Sequence, residues 1–264
     1  MRDSQYGGQG DRVHGGLAAL ARNVVAQLAA RDAWGERQLD DATVVSIARA
    51  LLDSDPSRMD DLRQDLRRVR ISDIDLVDSY FPEVARYIGC AWVDDSAAFA
   101  EVTLVVSKMQ AILRDVGRDW TSGDGGVGCD SATVLVVLPE GEQHSFGAMV
   151  LSGQLRRRGI SVRLEIGTTA DGLGRLARER SFDCAMISVA CEEKLDPCRR
   201  LVEALKQGSD GRLTVAVGGA LLDRPIDILR LTGADVVTRD PMMALLKARD
   251  RASAGLTKVI EAID

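Results

Sequence analysis

Leu135-Val-Val-Leu-Pro-Glu-Gly-Glu-Gln-His-Ser-Phe-Gly147 runs from an unbroken apolar segment through an acidic loop into the start of a helical pattern. A strand with one wet face alternates apolar and polar residues. A strand that is apolar at every position has both faces covered, as in a parallel sheet flanked by helices. Working outward, the same kind of run recurs at 161–166, 183–189, 213–217 and 234–237, with the first spanning 132–138. Helical segments at 144–158, 170–180, 195–206 and 225–232, and one after Asp240, separate or follow them. The alternation predicts an α/β domain, a five-stranded doubly wound parallel sheet over 132–264. Ligands of such domains bind outside the carboxyl ends of the strands.

Upstream the period changes. Leu17, Leu20, Ala21, Val24, Val25 and Leu28 recur at three and four residues, as do Val44, Val45, Ala48, Leu51 and Leu52, marking two amphipathic helices. A third is expected over 59–69. Ser72-Asp-Ile-Asp75 reads as a capping-box variant opening a helix through Tyr87 that ends at Gly89, and a longer helix follows from about Asp95 to Val116. Residues 17–120 are thus expected to form a helical bundle. Residues 1–16, polar and rich in glycine, read as a flexible arm, and 121–131, with no periodicity, as a linker.

With 264 residues and 45% apolar content, the chain can bury two modest cores. A net charge of -6 argues against holding nucleic acid by phosphate neutralisation alone. The amino terminus lacks the apolar core of a signal peptide, and no apolar run approaches the roughly 20 residues that span a bilayer, so a cytoplasmic protein is expected. The five cysteines include no Cys-x-x-Cys pair and read as free thiols. Arg63, Arg67 and Arg70 share a helical face, either a solvated surface or a docking patch.

The strand ends supply the candidate site. Strand one leads into Glu142, Gln143, His144, Ser145 and Gly147; strand three ends in Ser188, Val189 and Ala190; strand four in Gly218-Gly219; strand five in Thr238-Arg-Asp240. His144, one of two histidines, is placed to ligate a metal carried by a bound cofactor, and the paired glycines permit close approach of a bulky ligand. Taken singly, each has a plain structural reading: a hydrogen-bonded loop histidine, a buried hydroxyl, a strand-to-helix turn.

His144-x-x-Gly147, the strand-three serine and Gly218-Gly219 together resemble the cobalamin-binding domain, whose motif is Asp-x-His-x-x-Gly, then Ser-x-Leu, then Gly-Gly. Two positions depart from it: Glu142 replaces the aspartate, and Ser188-Val-Ala190 lacks the leucine. In the helical half, Pro82 to Thr103, with Gly-x-Ala-Trp92 followed by Phe99 and Val102-Thr103, is similar to the cap of the AerR/PpaA family, cobalamin-binding antirepressors of photosynthesis genes. That resemblance implies cobalamin as cofactor, His144 as the lower cobalt ligand and Glu142 as its hydrogen-bond partner. It places Trp92 and Phe99 at the upper face, with bundle core as the other reading of Trp92. It further implies a DNA-binding repressor of the PpsR/CrtJ type as partner, and a non-enzymatic, light-responsive regulator.

Light-sensing cobalamin repressors carry Glu-His in the cap where Val102-Thr103 stand here. His14, the other imidazole, is therefore the candidate upper ligand, reached when the cofactor is in its hydroxo or aquo form; adenosyl and methyl forms are the alternatives. A corrinoid carrier of a methyltransferase system would use the same two-part plan. A phosphorelay receiver needs an aspartate at the end of strand three and a lysine after strand five, and Ser188 and Thr238-Arg239 supply neither. A flavin protein of this fold needs a phosphate loop after strand one, where the acidic Pro139–Gln143 segment stands.

Overall fold

The computed structural model describes residues 39–121 and 132–261, without the side chains of 118–121 and 254–261. The expected arm over 1–16 with His14, the helix starting at Leu17, and linker residues 122–131 lie outside the described residues. The rest divides into two compact units, one helical and one α/β.

In the helical unit, α1 (Asp41–Leu52) begins where the Asp40 carboxylate accepts the free N–H groups of Ala42 and Thr43, and it buries Val44, Ile47, Ala48 and Leu51. Next, α2 (Ser57–Arg68) starts ahead of the expected Met59, because the Asp55 carboxylate accepts the Ser57 N–H. The expected capping box is formed, with Ser72 and Asp75 each accepting the other's N–H. The turn Asp73–Asp75 runs into a π-helical segment, Leu76–Tyr80, and then into α3 (Phe81–Val93). The wide turn has a local cause. Pro82 has no N–H to donate, and its ring crowds the carbonyl four residues back, so an expanded turn just before it relieves the clash.

Gly89 does not end this helix. A Cβ there would meet nothing within 4 Å, and the chain stays helical to Val93. The stop is Asp95, which takes the left-handed conformation (φ 55°), and the N–H groups of Ser96 and Ala97 fold back onto the Ala91 carbonyl. Residues 94–98 are consumed by this turn, so α4 (Phe99–Thr121) starts at Phe99 rather than Asp95. Of the three arginines expected on one helical face, Arg63 (Nε 3.0 Å from Asp73 Oδ1) and Arg67 pair with the Asp73 carboxylate, whereas Arg70 lies beyond the end of α2 in the left-handed region (φ 65°).

The α/β unit holds β1 (Thr133–Leu138), α5 (Phe146–Arg157), β2 (Ser161–Ile166), α6 (Ala170–Glu179), β3 (Cys184–Ser188), α7 (Leu195–Gly208), β4 (Thr214–Gly218), α8 (Ile228–Thr232), β5 (Val236–Val237) and α9 (Pro241–Glu261). The strands form one parallel sheet in the order β2-β1-β3-β4-β5. Central β1 is buried from Val134 to Leu138, as its composition requires, whereas edge strand β2 leaves Ser161, Arg163 and Ile166 exposed. Leu135, Val137, Ile187 and Val217 pack with α6 and α7, while Val134, Val136, Met186 and Ala216 pack on the other face with α5 and α9. Helix α8 opens at Ile228 instead of Pro225 because Asp227 caps it through the Arg230 N–H, and α5 opens at Phe146 instead of His144 because 142–145 form a side-chain-bonded loop.

Helices α6 and α7 touch backbone to backbone. A Cβ on Gly208 would sit 2.4 Å from the Gly174 carbonyl oxygen and 3.0 Å from Ala177 Cβ. Gly208→Ala must push the two helices apart, and the expected loss is about 1–3 kcal/mol, the range for overpacked cores. A urea titration followed by far-UV circular dichroism checks this; an unchanged midpoint would show that the seam opens freely.

Candidate functional site

In the order β2-β1-β3-β4-β5, the connections after β1 and β3 leave toward opposite sides, which opens a crevice between their carboxyl ends. The loop after β1 carries Glu142 and His144, and the end of β3 with the loop after it carries Ser188 to Lys194, so the candidate residues flank the topological switch point.

Pro139 to Glu142 form a turn closed by the Glu142 N–H on the Pro139 carbonyl (3.0 Å), with Gly141 at φ 71°, where only glycine is relaxed. This delivers the Glu142 side chain inward, where it is 1% exposed. Its Oε1 accepts the His144 N–H at 2.9 Å and lies 2.6 Å from His144 Nδ1, and its Oε2 accepts the Ala190 N–H at 3.2 Å. Burial alone would raise the Glu142 carboxyl, but the bonds from the His144 main chain, the imidazole and the Ala190 main chain outweigh it. They hold the acid below its usual range. An ionised carboxylate only accepts, so in a neutral ring this contact selects the tautomer with the proton on Nδ1 and the lone pair on Nε2. The imidazole itself is 68% exposed. The longer acid at the aspartate position therefore reaches the ring.

A carboxylate with a depressed native value contributes stability that is fully present above the ordinary carboxylate pKa and is lost as pH falls through the native value. The gap in urea midpoint between wild type and Glu142→Gln should be widest near pH 7 and close on acidification. A gap independent of pH would remove the carboxylate's charge from the account.

The remaining candidates divide into two groups. Gln143 is exposed and accepts the Ser145 N–H through its carbonyl (2.9 Å), and Ser145 stands half-buried before α5. Gly147 is exposed in the first turn of α5, and a Cβ there would meet nothing within 4 Å. Ser188 pairs in register with Gly218, and both are half-buried. Gly219, at φ 107°, lies so close to the β3 loop that a Cβ would be 2.4 Å from the Val189 carbonyl oxygen. A Cβ on Gly218 would come within 3.0 Å of the Thr238 carbonyl oxygen. The paired glycines thus answer to backbone on their own sheet, a role beyond the ligand approach read from sequence. Thr238 donates its N–H to Val217 (3.0 Å), and its hydroxyl accepts the Asp240 N–H (3.0 Å).

In the helical unit, Trp92 and Phe99 face each other across the α3–α4 turn, ring centroids 6.2 Å apart and tilted by 57°. They are 49% and 68% exposed, which excludes the bundle-core reading of Trp92. Val102, one turn further, is half-buried, and Thr103 bonds back to the Phe99 carbonyl (2.9 Å). Ala190, expected at the site, acts there through its main-chain N–H, and Lys194, whose Nζ donates to the Glu140 carbonyl (3.1 Å), is a residue of the α/β site that carries no sequence signal.

Among the described residues no three His, Cys, Asp or Glu side chains converge to hold a metal ion. A lone, outward imidazole with a fixed tautomer and a buried carboxylate behind it suits a metal whose other positions are filled by its own ligand, as a corrin fills them. The donor set fits a cobalamin, and it would not by itself hold a bare ion.

Fold and site together define a B12-binding-domain protein, and the family model described as "B12 binding domain" matches residues 132–246. The chain is 39% identical over 183 residues, 69% of its own length and 94% of the relative's, to the uncharacterised 20.5 kDa protein of the bchF–crtJ intergenic region of Rhodobacter capsulatus. It belongs to the AerR/PpaA family of cobalamin-binding proteins. The monomethylamine corrinoid protein of Methanosarcina barkeri shares the fold, at a TM-score of 0.59 and 12% identity over 77% of this chain and 95% of that one. Among the described residues no helix is long and apolar enough to cross a membrane.

Proposed function

We propose that the chain is a cobalamin-dependent, light-responsive transcriptional regulator of the cytoplasm, an antirepressor acting on a DNA-binding repressor of the PpsR/CrtJ type. The observation that carries the cofactor half is the Glu142–His144 pair at the switch point. The regulatory half rests on family membership and on the relative's location in the bchF–crtJ intergenic region.

In this reading His144 Nε2 is the lower cobalt ligand, with its ring held by Glu142, which Ala190 holds in turn. Gly147 leaves room over the first turn of α5. Gln143, Ser145, Ser188, Ala190, Gly218, Gly219 and Thr238 line the crevice that receives the rest of the cofactor, and Trp92, Phe99 and Val102 offer an apolar surface to the corrin's upper face. When bound, cobalamin would supply light-sensitive cobalt–carbon chemistry and a cobalt whose upper position can exchange water, hydroxide or imidazole. His14 on the amino-terminal arm is the residue proposed to take that position, favoured in the hydroxo or aquo form and excluded by an adenosyl group.

The test loads the purified protein with hydroxocobalamin or adenosylcobalamin, in darkness and after illumination, and records spectra after gel filtration. Each form is then added to the repressor bound to its operator. A retained, imidazole-ligated cofactor and operator release by the light-derived form alone are expected. Retention without release, with transfer of methyl from methylcobalamin to an acceptor, would replace the regulator by a corrinoid carrier.

A further inference from the structure

We propose that Lys194 is a positioning residue for His144, its ammonium holding the turn that presents the imidazole; this rests on the reading of His144 as cobalt ligand. Lys194 ends the short 3-10 turn Glu192–Lys194 beyond β3, and its Nζ donates to the Glu140 carbonyl at 3.1 Å, across 54 residues of sequence. It follows Glu192 and Glu193 and stands over the Glu140 segment, yet among the described residues it forms no ion pair. The geometry spends the cation on a main-chain carbonyl.

That carbonyl belongs to the central peptide of the Pro139–Glu142 turn. In a four-residue turn this peptide is the unit that flips between type I and type II, and the two forms send its carbonyl to opposite sides. Gly141 at φ 71° matches the third residue of the type II form, and a cation on the Glu140 oxygen selects that flip. Nζ also lies 2.9 Å from where a Gly141 Cβ would stand, so glycine at 141 is what lets the ammonium come so close. The next residue is Glu142, whose carboxylate is bonded by Ala190 of the same β3 loop. The loops on the two sides of the switch point are therefore clasped twice, once through Glu142 and once through Glu140. Releasing Lys194 frees the turn to flip, and the flip carries Glu142 and the ring it orients out of register.

The experiment uses the full chain with Lys194→Met, which keeps the alkyl length, and Lys194→Arg, which keeps a donor. In the apoprotein labelled with 15N-histidine, only two imidazoles are present, and His144→Ala assigns them. The excess of the Nδ1-protonated tautomer of His144 should fall about two- to tenfold in Lys194→Met, the scale of one solvent-exposed hydrogen bond, and return in Lys194→Arg. The dissociation constant for hydroxocobalamin should rise by a similar factor, with the thermal midpoint of the apoprotein unchanged. An unaltered tautomer excess in Lys194→Met overturns the proposal. So does an equal loss in both variants accompanied by a lowered midpoint, which marks a merely structural contact. Failure of the wild type to retain any corrinoid would instead sink the reading of His144 as ligand, and the apoprotein measurement still decides whether Lys194 holds the ring.

Discussion

His144→Ala protein is expected to leave gel filtration without corrinoid, its affinity for hydroxocobalamin reduced by about 100-fold or more and the imidazole-ligated spectrum gone. The size follows from the donor set. Loss of a residue that merely orients a ligating imidazole already costs about 10–100-fold in metal affinity, and here the ligating group itself is removed from a unit with no second histidine among its described residues. Glu142→Ala belongs in the orienting range, because the ring remains while its tautomer and direction are released. Exposure separates this effect from unfolding. The His144 side chain is 68% exposed, so its truncation removes little packing and the urea midpoint of the apoprotein should hold. Glu142 keeps its bonds from the His144 and Ala190 main chains in that variant, so the buried charge is not stranded. A His144→Ala protein that retains cofactor with an unchanged spectrum would move the ligand elsewhere.

How far the sequence carries depends on whether a residue's reason is local. Strand β1 is legible because Val134 to Leu138 are a short, β-branched-rich run, apolar on both faces and closed by Pro139, which fits a strand covered on each side. The Glu142–His144 pair is legible as well, since two residues of spacing around one loop already bring a carboxylate within reach of its neighbour's ring. Gly89 misleads because a glycine in a helix with open space around it has the same letter as one that stops a helix; the actual stop, Asp95 in the left-handed region, gives no such flag. The shortening of the fifth strand to Val236–Val237 reflects the left-handed Gly233 that ends α8 just before it. Lys194 could not be found from sequence at all. Its partner is a main-chain carbonyl 54 residues away, and nothing about a lysine among glutamates announces a carbonyl. Gly219 is legible as a site residue but not in its packing role, because its neighbour is the backbone of Val189 on another strand's loop.

Gly219→Ala is the substitution expected to cost the fold most, about 3–5 kcal/mol, as the sum of a strained backbone and a clash that cannot relax. At φ 107° an L side chain is disfavoured wherever it points, and here the added methyl would lie 2.4 Å from the Val189 carbonyl oxygen and 2.7 Å from its nitrogen. Both are main-chain atoms already committed, the N–H to Gly218 and the carbonyl to the Leu221 N–H, so no flexible side chain can yield. Either the β4 loop lifts and those bonds break, or the β3 loop moves and takes the Ala190 N–H away from Glu142. Corrinoid affinity should therefore fall together with the urea midpoint. Gly147→Ala provides the contrast. A Cβ at 147 meets nothing within 4 Å, and the residue is helical, so the apoprotein should hold its midpoint or gain up to about 1 kcal/mol. Under the proposed reading the methyl enters space reserved for the corrin, and retention of hydroxocobalamin should drop while stability does not. The two glycines carry opposite loads, Gly219 the packing of one loop on another and Gly147 the approach of the ligand. If Gly147→Ala retains hydroxocobalamin as wild type does, the corrin lies elsewhere than over the first turn of α5.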